Sequence, residues 1–353
     1  TATTMTTTTI TINTYGRVTL LGRGSRAVEA IYSTRKSAVT AAVAGAAGAF
    51  GVKHLNALKN INGIEVVSVV GRTTESIEAL AKERGIEHYT TDLDESLSHT
   101  DVEAVILSTP TQMHADQSRK CMMAGKHVMC EIPMSDNIKD ARSLVDLQKE
   151  TGVVGMVGHV RRFNPSHQYV HNKIISKEFK IQQLDVQTYF FRRTNINALG
   201  NPRSWTDHLL WHHACHTVDL FIYQTGEVPT EVFGMQGPIH PDLGIAMDMT
   251  IGLKSPSGAL CTLSLSFNND GPLGTFFRYI GDTATYIARY DDLVDGRENP
   301  IDLSNVAASS NGIELIDREF FSAIREKREP NSSFAQGLAA MEVLHQIEQK
   351  LNS

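Results

Sequence analysis

The chain has 353 residues, 41% hydrophobic and 20% charged, an ordinary globular composition with enough length for two domains that each bury a core. A formal net charge of -6 excludes a global basic field for nucleic acid or an anionic membrane, and no apolar run approaches the roughly 18 residues of a membrane span. Cys121, Cys130, Cys215 and Cys261 form neither a C-x-x-C pair nor a dense disulfide framework, which fits a reducing, cytoplasmic setting.

Residues 1–38 stand apart. They open T-A-T-T-M-T-T-T-T and carry Arg17, Arg23, Arg26, Arg35 and Lys36 against a single acid, Glu29. This Thr-, Ser- and Arg-rich stretch resembles an organelle transit segment, and a disordered extension is the plainer reading. From Ala38 the pattern becomes regular. Apolar strands are expected at 38–44, 65–70, 104–107, 127–130 and 153–157. Helical patterns lie between them at 75–84, 116–124 and 138–151, each stopped by glycine (Gly85, Gly125, Gly152). Such alternation predicts a parallel, doubly wound α/β sheet over residues 39–160.

After residue 160 the pattern changes. A helical segment at 165–176 leads to alternating stretches at 182–191, 231–236, 247–253, 260–267, 275–281 and 285–289, which read as antiparallel strands. Residues 161–330 are therefore expected to form an α+β domain with a largely antiparallel open sheet. A closing helix over 331–353 is expected to pack back on the first domain.

The first strand enters Gly45-Ala46-Ala47-Gly48-Ala49-Phe50-Gly51. A glycine-rich turn between strand and helix lets backbone approach a dinucleotide pyrophosphate at a helix N-terminus, so Gly48, Ala49, Phe50 and Gly51 are candidate cofactor residues. The spacing is imperfect: the usual G-x-G-x-x-G register ending at Gly51 puts Ala46 where the first glycine belongs. At the end of the second strand, Gly71-Arg72-Thr73-Thr74 replaces the carboxylate typical of NAD sites with an arginine and hydroxyls. Arg72 and Thr73 suit a 2′-phosphate, so NADP is expected, with NAD as the alternative.

Three further stretches resemble the glucose-fructose oxidoreductase / inositol dehydrogenase family over residues 39–350. They are Ser108-Thr109-Pro110-Thr111-Gln112-Met113-His114, then Ala124-Gly125-Lys126-His127-Val128 leading to Glu131-Ile132-Pro133, and Gly158-His159-Val160-Arg161-Arg162-Phe163-Asn164-Pro165. The resemblance implies a Rossmann domain with Thr109, Pro110, Gln112, His114, Glu131 and Arg161 near the cofactor, and a homodimer. Two positions depart from the family pattern. The lysine of E-K-P is Ile132, and the D-x-x-x-H pair becomes His212-x-x-x-His216. By resemblance His216 occupies the catalytic histidine position and His212 that of the aspartate.

Longer strings, 157–169, 188–193, 202–213 and 263–272, are similar to a family member that oxidises a cyclic hemiacetal bearing two carboxylates. That implies a small dicarboxylate substrate oxidised with NADP. A hemiacetal hydroxyl is more acidic than a sugar hydroxyl, which makes a histidine base without the lysine chemically reasonable; His216 is the expected base, tuned by His212 or Asp219. Arg161, Arg162, Arg192, Arg193 and Arg203 are the candidate carboxylate grips, Arg162 and Arg203 preferred, with Trp205 and His213 also assigned to substrate. Two rival functions are a related sugar or polyol dehydrogenase and a non-catalytic NADP-binding sensor. On one helix His208, His212 and His216 would share a stripe beside Cys215, but no ligand from elsewhere and no H-E-x-x-H accompany them, so no metal is expected.

Overall fold

The computed structural model describes residues 9–12, 18–21, 38–196, 200, 202, 206–272, 274–289 and 291–352. Within the N-terminal extension it describes an antiparallel strand pair, β1 (Thr9–Ile12) with β2 (Val18–Leu21). The rest of the expected extension lies outside the described residues.

The first domain is one parallel sheet. Its strands are β3 (Val39–Ala44), β4 (Ile64–Val70), β5 (His88–Thr90), β6 (Ala104–Leu107), β7 (His127–Cys130) and β8 (Gly155–Val157), ordered β5-β4-β3-β6-β7-β8. The helices between them are α1 (Ala49–Leu58), α2 (Thr74–Arg84), α3 (Leu93–Ser98), α4 (His114–Met123) and α5 (Ile138–Thr151). Strand β6, Ala-Val-Ile-Leu, is buried at every position, as a central strand covered on both faces must be. Caps fix the helix ends: Thr73 and Asn137 accept first-turn N–H groups of α2 and α5, and Gly85 and Gly152 close them in the left-handed conformation. The short β5 and α3 were not expected from the sequence; three- and six-residue elements carry too little periodicity to read. Strand order reverses between β3 and β6, and the crevice at the carboxyl ends of those two strands is where ligands of such sheets bind.

The second domain contains α6 (Pro165–Ile175), β9 (Ile181–Tyr189), α7 (Cys215–Thr225), β10 (Glu231–Gln236), β11 (Asp248–Lys254), β12 (Leu260–Ser266), β13 (Gly274–Gly281), β14 (Thr285–Arg289) and β15 (Asp292–Asp295). Its sheet runs β10-β11-β12-β9-β13-β14-β15. All neighbours are antiparallel except β12 and β9, because the chain crosses over through α7 before returning beside β9. One face carries Leu184, Val186, Ile251, Leu263, Leu265 and Phe277 into a core shared with Val218 and Phe221 of α7. The other face stays uncovered: Phe233 and Met235 stand more than half exposed at its edge, and Thr250, Thr262, Gln187 and Arg278 are exposed across it.

Two closing helices join the domains. The amphipathic α8 (Gly312–Glu326) lies on α1, and α9 (Phe334–Leu351) packs against α5 of the first domain and against α7 and β10 of the second. Among the described residues no helix is long and apolar enough to cross a membrane.

Candidate active site

The glycine turn is shaped for close backbone approach. Gly45 has φ of +76°, and a Cβ there would come 2.5 Å from the carbonyl oxygen of Ser108. It therefore takes the tight-turn role although it sits one residue before the expected place. A Cβ on Gly51 would sit 2.3 Å from the Gly45 oxygen, so only glycine lets α1 pack this near β3. Gly48 is the N-cap of α1 and has no side chain to satisfy the first-turn N–H groups. No acidic residue stands in that turn. A helix N-terminus left open in this way, at the switch point, fits a dinucleotide pyrophosphate.

The neighbouring loops converge on the same crevice. Gly45 and Ala46 donate to the carbonyl of Val70, so the strand end with Arg72 and Thr73 adjoins the turn. Arg72 is exposed, whereas the Thr73 hydroxyl is engaged in capping α2 and in a 3.0 Å bond to Ser76. On the other side Ser108 donates to the carbonyl of Ala44, and Thr109 donates to Gln117 at 2.5 Å. Pro110 is half-buried and Gln112 exposed, on the short 3-10 turn Thr111–Met113. His114 is buried with its ring nitrogens 2.7 and 2.8 Å from the carbonyl oxygens of Pro133 and Thr109, which joins the two loops; burial lowers its pKa against the pull of those carbonyls. It positions the loops and does not face solvent.

The histidine-rich stretch folds differently from the expected continuous helix. Leu209–Ala214 is a π-helical turn, and α7 begins only at Cys215. His208 is outside the helix: it caps the turn, its Nδ1 accepting from the N–H of Leu210 at 3.1 Å. His212 accepts the N–H of His208 through Nδ1 at 3.0 Å, and burial lowers its pKa to about 4. The wider turn breaks the expected α-helical i, i+4 stripe. Among the described residues no three His, Cys, Asp or Glu side chains converge to hold a metal. His216 itself stands at the start of α7 with Nδ1 buried and lacking a hydrogen-bond partner. Burial first, and the nearby Arg161 second, hold its pKa well below the ordinary value, so the imidazole is neutral. His159 and His213 add to that lowering, which places the Gly158–Pro165 loop within electrostatic reach of His216.

Both domains match known proteins. Residues 39–159 match the family described as "Oxidoreductase family, NAD-binding Rossmann fold", and residues 165–307 match "Bacterial oxidoreductases, C-terminal". The chain is 64% identical over 282 residues to 4-carboxy-2-hydroxymuconate-6-semialdehyde dehydrogenase of Sphingobium sp. (strain NBRC 103272 / SYK-6), covering 80% of this chain and 89% of that one. The chain belongs to the glucose-fructose oxidoreductase / inositol dehydrogenase family. Its relatives include scyllo-inositol 2-dehydrogenase (NAD(+)) of Bacillus subtilis (strain 168), 35% identical over 29% of this chain and 30% of that one. A levoglucosan dehydrogenase in complex with NADH shares the fold at a TM-score of 0.79 and 18% identity, across 89% of this chain and 97% of that one.

Within this oxidoreductase, the arginines separate into two kinds. Arg162 is buried and donates twice to Asp219, at 2.8 and 2.6 Å, and also to Asn331 at 3.1 Å and Gln336 at 2.6 Å. No edge of that guanidinium remains for a substrate carboxylate, which corrects its expected role. Asp219 is likewise turned to Arg162 and to His159 (3.6 Å) instead of tuning His216. Arg161 points the other way, 3.5 Å from the Thr275 hydroxyl and over the Phe277 ring, and so faces the sheet of the second domain near His216. Arg193 is exposed, held by one nitrogen to the carbonyls of Arg192 and Phe267. Arg203 and Trp205 lie outside the described residues.

Asp207 was not singled out in the sequence. It meets Arg192 at 2.6 Å and His213 at 3.1 Å, and His213 packs edge-on against Phe267. Burial would raise the Asp207 carboxyl, but His213 and Arg192 bring it well below the usual carboxylate range. Its only sequence signal is an acid embedded in the histidine stretch. Glu131 contacts His54, a pairing considered below.

Proposed function

We propose that this oxidoreductase converts the cyclic hemiacetal of 4-carboxy-2-hydroxymuconate-6-semialdehyde to 2-pyrone-4,6-dicarboxylate, a step in the 4,5-cleavage of protocatechuate, with NADP as the acceptor. The observation that carries this reading is the 64% identity spanning 89% of the Sphingobium dehydrogenase. Gly48, Ala49, Phe50 and Gly51 would hold the pyrophosphate, Arg72 the 2′-phosphate, and Thr109, Pro110, Gln112 and Glu131 the nicotinamide side. The bound nicotinamide supplies the hydride acceptor.

His216 takes the hydroxyl proton. A neutral imidazole is the form a base requires, and the two carboxylates of the substrate raise its proton affinity on binding. Of its two expected places, beside the cofactor and at the substrate, Arg161 takes the second and grips one carboxylate, which its contacts with Thr275 and Phe277 support. Arg193 at the rim, with Arg203 and Trp205, and His213 fixed by Asp207 complete the substrate set. His212, whose Nδ1 accepts the N–H of His208, is proposed to shape the turn that precedes His216. The uncovered sheet face, with Phe233 and Met235 at its edge, is proposed as a homodimer surface, and light scattering reads it directly.

The decisive test mixes protocatechuate, its 4,5-dioxygenase and this protein with NADP and follows NADPH absorbance. Formation of NADPH and of the pyrone is expected, and H216N should lower kcat by about 10²- to 10⁴-fold with NADP affinity unchanged. Turnover of inositol or glucose in place of the hemiacetal would shift the assignment to a sugar dehydrogenase.

A further inference from the structure

His54 lies on α1, three residues after Gly51, and is wholly buried. Its Nε2 is 2.9 Å from a carboxylate oxygen of Glu131, in the loop after β7, and its Nδ1 is 2.8 Å from a carboxylate oxygen of Asp317 on α8. A neutral imidazole has one N–H and one lone pair, so it can donate to only one of two carboxylates. Both contacts are satisfied together by an imidazolium between two carboxylates; a neutral ring satisfies them only if Asp317, whose carboxyl burial pushes up, keeps the proton. Asp317 is also fully buried, and its second oxygen has no partner, so His54 is the group that answers its charge. Glu131 is mostly buried as well, and the residue beside it is the apolar Ile132. Among the described residues, Glu131 Oε2 is bonded to the N–H of Ile132 at 3.3 Å.

We propose that His54 is a positioning residue of the cofactor site: a buried imidazolium that holds the Glu131 carboxylate fixed at the crevice, and ties the glycine-turn helix to α8. That Glu131 faces the nicotinamide rests on the reading given above; the His54 bridge itself does not. Burial alone would lower the pKa of His54, but Asp317 and Glu131 outweigh it and push it up to about 10. The other charged groups around the bridge are Glu314, paired with Arg318 one turn earlier on α8, and His114 and His159 on the far side of Glu131. Without His54, the Glu131 carboxylate would lose the partner that fixes its Oε1 at the crevice.

Two measurements test this, and neither needs substrate. Long-range 1H–15N spectra of the uniformly labelled wild-type protein read imidazole protonation directly. One ring with both nitrogens protonated at pH 8.5, missing from H54N, is expected; a spectrum in which every imidazole has lost a proton at that pH overturns the proposal, whether or not a variant folds. Calorimetric titration with NADP+ between pH 7.5 and pH 9, where the 2′-phosphate stays fully ionised, tests the positioning role. Wild-type affinity is expected to be flat over that range, whereas H54Q, which keeps a donor but no charge, should bind roughly tenfold more weakly. An H54Q profile superimposable on the wild type overturns the positioning role. If instead the imidazolium and the affinity change are present but the hemiacetal is not oxidised, the substrate assignment fails and the His54 proposal stands.

Discussion

Replacing Arg162 by methionine separates a structural arginine from a substrate-binding one. The side chain joins three elements: it leaves the short turn Val160–Arg162, pairs with Asp219 on α7 through two bonds of 2.8 and 2.6 Å, and donates to Gln336 on α9. Its guanidinium also lies 5.0 Å from the Tyr223 ring. Among the described residues, R162M would leave the fully buried Asp219 carboxylate with His159, 3.6 Å away, as its remaining ion-pair neighbour. Removing one partner of a buried pair costs roughly 3–5 kcal/mol because the other charge is left uncompensated. At about 2 °C per kcal/mol for a chain of this size, Tm should fall by about 6–10 °C. Urea unfolding and thermal melts measure the loss. R162M/D219N removes both charges and should recover about half of it or more, since the deficit lies in the unpaired carboxylate. The substrate KM of R162M, assayed well below its Tm, should stay within a few-fold of the wild type. A normal melt together with a greatly raised KM would refute the argument and return Arg162 to the substrate pocket.

Other outcomes follow from the same structure. R72A should weaken NADP+ binding about 10- to 100-fold, the worth of one or two charge-assisted bonds, while NAD+ binding stays unchanged; equal loss for both would remove the 2′-phosphate role. G51A would force a methyl to 2.3 Å from the Gly45 oxygen, so α1 must move off β3; a cost of about 1–3 kcal/mol and a weakened cofactor affinity are expected, read by denaturation and titration. His54 contributes a pH signature to stability. Its folded pKa near 10 exceeds the unfolded value of about 6.5, so its contribution is fully present below pH 6.5 and is lost as pH rises towards 10. The loss is at most about 5 kcal/mol, and is reduced because Asp317, whose carboxyl burial pushes up, resists staying ionised. Urea midpoints at pH 7 and pH 9.5 should diverge more in the wild type than in H54Q; parallel curves would show that His54 is not charged.

The sequence by itself determined the order of elements and the kind of chemistry. Alternating apolar runs and glycine stops are local signals, and they located the parallel sheet except β5, the glycine turn, and the strands of the second domain except β15 within a few residues. Strings such as Gly158–Pro165 carried the family, because loop side chains that serve a site are specified by chemistry and not by packing. Tertiary structure alone decided what each charged side chain faces. Arg161 and Arg162 are adjacent and chemically identical, yet one looks to Thr275 and the sheet and the other is consumed by Asp219, 57 positions away. The histidine stripe at 208, 212 and 216 presumes a continuous α-helical period; a π-helical turn, dependent on packing against α9 and the second sheet, removed it. His54 had no sequence signal at all, because its partners are 77 and 263 positions distant. Spacing along a chain fixes what neighbours can do, but the pairing of buried charges is settled only when distant elements close over them.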